Sequence, residues 1–188
     1  DLRRSDILGF DTETTELDPY RGELRLVQLS DGKNSHVIDL RAFASNGSLH
    51  GNEQLAPLYD LLSDPTRTKI AHNAKFDAKW ARHHLGCEVN GIFDTYLASQ
   101  LIAAGDTDRR HSLADAAQYF CGIELDKSMQ VSDWSAAELS HQQLEYAARE
   151  AVIMRQLRDQ MVEALASDEL ERVAALESSY TALLKMLQ

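Results

Sequence analysis

The sequence contains no run of eighteen apolar residues, so it offers no candidate membrane-spanning helix. Cysteine is nearly absent: Cys87 and Cys121 stand alone, at a spacing that makes neither a metal site nor a disulfide framework. A reducing compartment is the default expectation for such a chain. Basic residues are in short supply, 19 against 30 acids, which leaves a net charge of −11. That balance argues against a protein that coats nucleic acid through a basic surface. It still allows a polynucleotide enzyme, because clustered acids that hold metal ions would contribute to it. There is no internal repeat, low-complexity tract or obvious linker. The head of the chain, "DLRRSDILGFD", shows no signal-peptide pattern and runs straight into a strand-like segment. It also lacks a starting Met, which reads as a chain processed or cut from a longer one. What is present, 188 residues with 44% hydrophobic and 26% charged, has the size and composition of one globular domain.

The first third is strand-rich. "DILGFD" (6–11), "ELRLVQLS" (23–30) and "SHVIDL" (35–40) are apolar or alternating runs separated by "DPYRG" and "DGKN", turn material that suits an antiparallel meander. "NEQLAPLYDLLSD" (52–64) has helical spacing, and "TKIAH" (68–72) reads as a further strand. From Asn73 onward the pattern is nearly all helix. "AKFDAKWARHHLG" ends at Gly86, "DTYLASQLIAAG" at Gly105, and "SLADAAQYFCG" opens on a serine N-cap and closes at Gly122. A loop through 123–135 precedes a long helix over 141–163, and a last helix is expected over 168–187. The order of elements predicts a mixed α/β fold with helices packed on a sheet. The polar break "ASDE" suggests a division into residues 1–165 and a C-terminal helical segment, 166–188.

Three carboxylate sites stand out by placement. In "GFDTET" (9–14), Asp11 and Glu13 follow an apolar strand and share one of its faces. Two acids side by side repel unless a cation joins them, so the pair is a candidate for hard-metal binding, against the plainer reading of a polar strand end. In "HNAKFDAKW" (72–80), Asp77 follows Phe76 on an amphipathic helix that Asn73 would cap; a solvated helix acid is the plain alternative. The third site is "EYAAREAVIM" (145–154). At about 100° per residue, Tyr146, Ala147, Ile153, Met154, Leu157 and Met161 fall within roughly 60° of Glu150. Glu145, Arg149, Arg155 and Asp159 lie on the other side. Glu150 thus sits near the middle of an apolar stripe, where an ionised carboxylate is costly without a partner.

Together, D-x-E on a first strand, N-x-x-F-D on a mid-chain helix and Y-x-x-x-acid on a late helix resemble the DEDD exonuclease superfamily, in its tyrosine branch. "HSLADAAQYFCGIELDKSMQVSDW" (111–134) and "LSHQQLEYAA" are similar to the same region of ribonuclease D-like enzymes and of family A DNA polymerase proofreading domains. The resemblance spans about residues 5–163. It implies an RNase H-like fold, with antiparallel N-terminal strands in a mixed sheet, and metal-dependent hydrolysis of 3′-terminal phosphodiesters to nucleoside monophosphates. Two divalent ions, Mg²⁺ or Mn²⁺, would activate the attacking water and stabilise the leaving 3′-oxygen. By the same resemblance Asp11, Glu13, Asp77 and Glu150 are the metal ligands and Tyr146 orients the nucleophilic water. Thr12, Thr14, Leu17, Asn73 and Phe76 would surround the terminal nucleotide, with a core role open for Leu17. Lys127, Gln130, Ser132 and Trp134 would meet the strand, Lys127 at a phosphate and Trp134 by stacking, unless Trp134 merely pins its loop. Gln28 and Asp94 match family positions without an assignable chemistry.

Two departures matter. The superfamily's histidine branch needs His at position 145, which holds Glu. The family's last acid is normally Asp, and Glu150 adds a methylene that shifts the carboxylate by roughly 1–1.5 Å. Mg²⁺ tolerates such a shift less than Mn²⁺, so Glu150 is expected to bind metal yet weaken the reaction. The expected substrate is a single-stranded or frayed DNA 3′ end, with RNA as the alternative, in a domain linked to a polymerase and lying in the bacterial cytoplasm or a eukaryotic organelle. A catalytically silent nucleic-acid-binding module is the reading from another class.

Overall fold

The computed structural model describes residues 2–44, 48–104, 106–126, 128–129, 131–167 and 173. Five strands form one sheet in the order β3-β2-β1-β4-β5. They are β1 (Ile7–Thr14), β2 (Leu24–Ser30), β3 (Ser35–Asp39), β4 (Thr68–Ala71) and β5 (Ile92–Asp94). The meander is antiparallel as expected, while β4 and β5 run parallel to β1. Among the described residues, five α-helices pack around the sheet: α1 (Ala56–Ser63), α2 (Ala74–Leu85), α3 (Thr95–Ile102), α4 (Leu113–Cys121) and α5 (His141–Ser167).

The period-two alternation of β1 sorts its residues between two layers. Leu8 and Phe10 enter the main core with Val27 and Leu29 of β2, Leu58 and Leu62 of α1, and Trp80, Ala81 and Leu85 of α2. Gly9, Asp11 and Glu13 face the other way, toward α5. There, Ala147, Ala151, Met154 and Leu157 form the buried stripe of the long helix. A Cβ on Gly9 would lie 2.0 Å from the carbonyl oxygen of Ala151, so only glycine lets α5 cross β1 at this distance. Further along, α5 buries Leu157, Met161 and Leu165 against Ala98 of α3 and Ala116 of α4.

Local chemistry accounts for most element ends. Gly86 closes α2 in the left-handed region at φ 67°, donating its N–H to Arg82 O. Ser112 caps α4 and Gly122 ends it. Where one helix was expected over 52–64, Glu53–Leu55 forms a 3₁₀ turn before α1, with Pro57 in the first turn of α1, where its missing N–H costs nothing. Strand β5 was not anticipated. Its three residues are too short for a periodic signal, and pairing with β4 (Lys69↔Ile92, Ala71↔Asp94) defines it. Helix α3 ends at Ile102, before the expected stop; Gly105 lies outside the described residues, as does nearly all of the expected last helix. Helix α5 continues through Ser167, beyond the expected helix end at 163. No helix among the described residues is long and apolar enough to cross a membrane.

Candidate active site

Strand β1 and helix α5 meet at the sheet face where Asp11, Glu13 and Glu150 converge. One carboxylate oxygen from each lies within 4.8 Å of the others. The close crossing at Gly9 brings this about, because it sets the α5 backbone against β1 just before the first acid. Tyr146, one turn before Glu150, donates its hydroxyl to Glu150 Oε1 at 2.7 Å. Asp77 approaches from α2, on the inward face of that helix and 2% exposed. Thr12 points to the α2 side of β1 and donates its hydroxyl to Asp77 Oδ1 at 2.6 Å. The strand thus delivers its acids to α5 and its threonine to α2.

The electrostatics are those of like charges held together out of water. Burial, then Glu150, Asp77 and Glu13, raise the carboxyl of Asp11 well above the usual carboxylate range. Burial, Glu150 and Asp77 push Glu13 up to about 9. Burial lifts Asp77 to about 7 despite the hydrogen bond from Thr12. Glu150 is raised by burial, an effect opposed by hydrogen bonds from Tyr146 and Asp11. Like charges held this close out of water favour either protonation or a cation that joins the carboxylates. Glu13 Oε1 is buried without a hydrogen-bond partner, as a ligand atom awaiting an electrophile would be. Converging oxygen donors, one of them orphaned, fit a hard divalent cation. The Tyr146 phenol is raised by burial and then by Glu150, so it keeps its proton at neutral pH.

A cleft of about 340 Å³ opens on the acids and is lined by Thr12, Asn73, Phe76, Asp77, Tyr146 and Glu150. A second cleft, about 260 Å³, runs from Tyr146 and Glu150 to Leu125, Asp126, Met129 and Arg149. Tyr146 and Glu150 therefore stand where two clefts join. Several expected site residues lie elsewhere. Leu17 is 86% exposed, which excludes a core role, and it does not line the cleft. Thr14 also lies outside the cleft lining: past the bulge between Glu13 and Thr14, its hydroxyl donates to Glu16 O. Trp134 is 5% exposed and packs with Leu26, Ala147 and Tyr146, so it pins its loop and has no free face for a base. Buried Arg25 completes the pin, donating to the carbonyls of Trp134, Ala136 and Ala137 while paired with Asp39. Ser132 donates its N–H to Met129 O. Lys127 and Gln130 lie outside the described residues.

Asn73 occupies the N-cap position of α2 but makes no side-chain cap bond; it adopts φ 63°. Asp94 does the capping instead, accepting from the N–H groups of Asn73, Ala74 and Tyr96. It ties the starts of α2 and α3 together and so aims Asp77. Gln28 pairs across the sheet with Asp11, fully buried. His72, Tyr96 and His111 complete the far wall of the cleft, a group the sequence reading missed. His72 bridges Thr95 Oγ1 and His111 O, and burial holds its ring below the usual histidine range. Only the end of strand β4 just before "NAKFD" hinted at His72; Tyr96 and His111 follow from β5 and its connections.

A sequence profile described as 3′-5′ exonuclease matches residues 1–166. DNA polymerase I of Aquifex aeolicus is 35% identical over 181 residues, covering 96% of this chain and 28% of that protein. Ribonuclease D of Zymomonas mobilis is 29% identical over 182 residues, covering 92% of this chain and 44% of that one. The chain thus spans less than half the length of these two relatives. Among solved structures, Brucella melitensis NrnC with bound Mg²⁺ is 30% identical with a TM-score of 0.86, covering 100% of this chain and 87% of that one. The same protein bound to pGG gives 31% identity and a TM-score of 0.86, covering 100% and 86%. The helix-flanked mixed sheet is the RNase H-like architecture that the motifs implied. By profile and by relatives, this chain belongs to the 3′-5′ exonuclease family.

Proposed function

We propose that the chain is the catalytic domain of a 3′-5′ exonuclease that uses two divalent ions, Mg²⁺ or Mn²⁺, to release nucleoside monophosphates from single-stranded 3′ ends. The observation that carries this reading is the convergence of Asp11, Glu13 and Glu150 oxygens within 4.8 Å, beside a buried Glu13 oxygen with no partner. Asp11, Glu13 and Glu150, with Asp77 beside them, would hold the metal. When bound, the divalent ions supply Lewis acidity to the attacking water and to the leaving oxygen. The protein's own groups do the rest. Tyr146 stays protonated and orients rather than abstracts, its hydroxyl fixed by Glu150. Thr12 donates its hydroxyl to Asp77 and so orients it. Phe76 and Asn73 offer a wall to the terminal nucleotide.

A DNA 3′ end, in a proofreading domain with residues 166–188 leading toward a polymerase region, is the first substrate reading, supported by the Aquifex aeolicus relative. A short RNA is the second, supported by NrnC bound to pGG, which the chain matches over 86% of its length. A silent binding module is disfavoured, because all four acid positions keep carboxylates. The test is degradation of matched 5′-labelled DNA and RNA oligonucleotides with Mg²⁺, Mn²⁺ or EDTA, with Asp11→Ala as control. The expected result is stepwise shortening that EDTA and Asp11→Ala abolish. No nucleotide release with Mn²⁺ at high protein concentration overturns the proposal.

A further inference from the structure

Acids outnumber bases by eleven over the chain, yet the outer face of α2 gathers cations. Lys75, Lys79 and Arg82 are exposed and recur at i, i+4 and i+7, so they share one face and span about 10 Å at 1.5 Å per residue. They line a groove of about 390 Å³ with Pro19, Tyr20, His50, His83 and Glu88. Among the described lining residues, Glu88, paired with Arg82 at 3.3 Å, is the acid set against three cations. An aromatic platform stands beside the cations. The Tyr20 ring is 74% exposed, meets the edge of His83 at 4.6 Å between centroids, and has Lys79 Nζ 6.0 Å from its centre. His84 Nε2 at 3.1 Å from Pro19 O ties the Tyr20 loop to the helix.

Both halves of this groove extend elements that build the acid cleft. Lys75 adjoins Phe76, which lines the cleft, while Lys79 stands two positions past Asp77 and so on the outer side of the same helix. Tyr20 stands in the loop that leaves β1 after Thr14. Cations tracking a backbone beside an exposed aromatic are the recurrent solution for binding single strands without sequence preference. We propose that this groove binds the substrate strand 5′ of the cleft, with Lys75 and Lys79 on backbone phosphates and Tyr20 against a base. The inference rests on the exonuclease reading above, since it takes the 3′ end to occupy the acid cleft. It makes the protein length-sensing: an octanucleotide reaches the groove and a dinucleotide does not.

The test compares the wild type with Lys75→Gln/Lys79→Gln and with Tyr20→Ala. Anisotropy of 5′-labelled DNA and RNA octanucleotides and dinucleotides is read in Ca²⁺ across a KCl series. Loss of two phosphate contacts should weaken octanucleotide binding about tenfold and reduce the salt slope by about 1.4. The ratio of octanucleotide to dinucleotide affinity should fall by a similar factor. Tyr20→Ala should lower that ratio without changing the salt slope. Unchanged octanucleotide affinity and slope in the lysine variant overturns the proposal, as does a variant that loses only self-association in sedimentation. If no oligonucleotide is hydrolysed yet the length-dependent binding is lost in the variant, the groove stands and the catalytic reading falls.

Discussion

Tyr146 and Glu150 stand one turn apart on α5, joined by a 2.7 Å hydrogen bond in which the phenol donates. Burial and the neighbouring carboxylate raise the phenol, so it stays protonated through the physiological range. Tyr146→Phe should therefore lower kcat by about 10- to 100-fold through lost orientation, with KM little changed. The rate should also show no tyrosine ionisation below pH 9 in the wild type. A steady-state pH profile of both proteins checks this; an alkaline-activated limb that vanishes in the variant would point to a base instead.

Glu150 reaches Asp11 and Glu13 despite its longer side chain. If the extra methylene impairs tight octahedral geometry, Glu150→Asp should raise turnover in Mg²⁺ more than in Mn²⁺. Unchanged or lower turnover in Mg²⁺ refutes that idea. Glu150→Ala should remove activity, and a wild-type rate there would show that Glu150 is no ligand.

Folded-state values raised above the unfolded ones, about 9 against 4.5 for Glu13 and about 7 against 3.8 for Asp77, mean that the folded protein binds more protons at neutral pH. Stability from these groups is full below the unfolded values and is lost as pH rises toward 9. Without metal, Tm should fall from pH 5 to pH 9. Added Mg²⁺ or Mn²⁺ should restore more at the alkaline end, where the carboxylates are free of protons. A Tm that rises with pH in EDTA would contradict the buried like-charge cluster.

Gly9→Ala places a methyl group 2.0 Å from Ala151 O. Helix α5 must then move off β1, carrying Glu150 away from Asp11. We expect a loss of at least about 2 kcal/mol in denaturant unfolding. The refolded variant should also be nearly inactive, whereas Gly122→Ala, with nothing within 4 Å of the added atom, should affect only local backbone strain.

The acids were legible because each lay in a local pattern. Asp11 and Glu13 ended an apolar alternation, Asp77 followed Phe76 on an amphipathic helix, and Glu150 interrupted an apolar stripe. The helix caps at Gly86, Ser112 and Gly122 were legible for the same reason: their chemistry is complete within a few residues. Three features were not. Strand β5 is three residues long and exists through its partner β4. Asp94 caps a helix that begins twenty residues before it. Trp134, for which stacking and pinning were both open, is buried against Leu26, more than a hundred residues away.

The sequence by itself determined the order of elements apart from β5, the residue types of the acid cluster and the family. It did so because strand and helix periodicities are local properties of the chain. Only the tertiary structure decided which acids meet, that Thr12 serves Asp77, and that Leu17 and Thr14 stand outside the cleft. Those outcomes depend on how closely α5 crosses β1 at Gly9 and on how Asp94 sets α2, and no local pattern encodes a distance between elements.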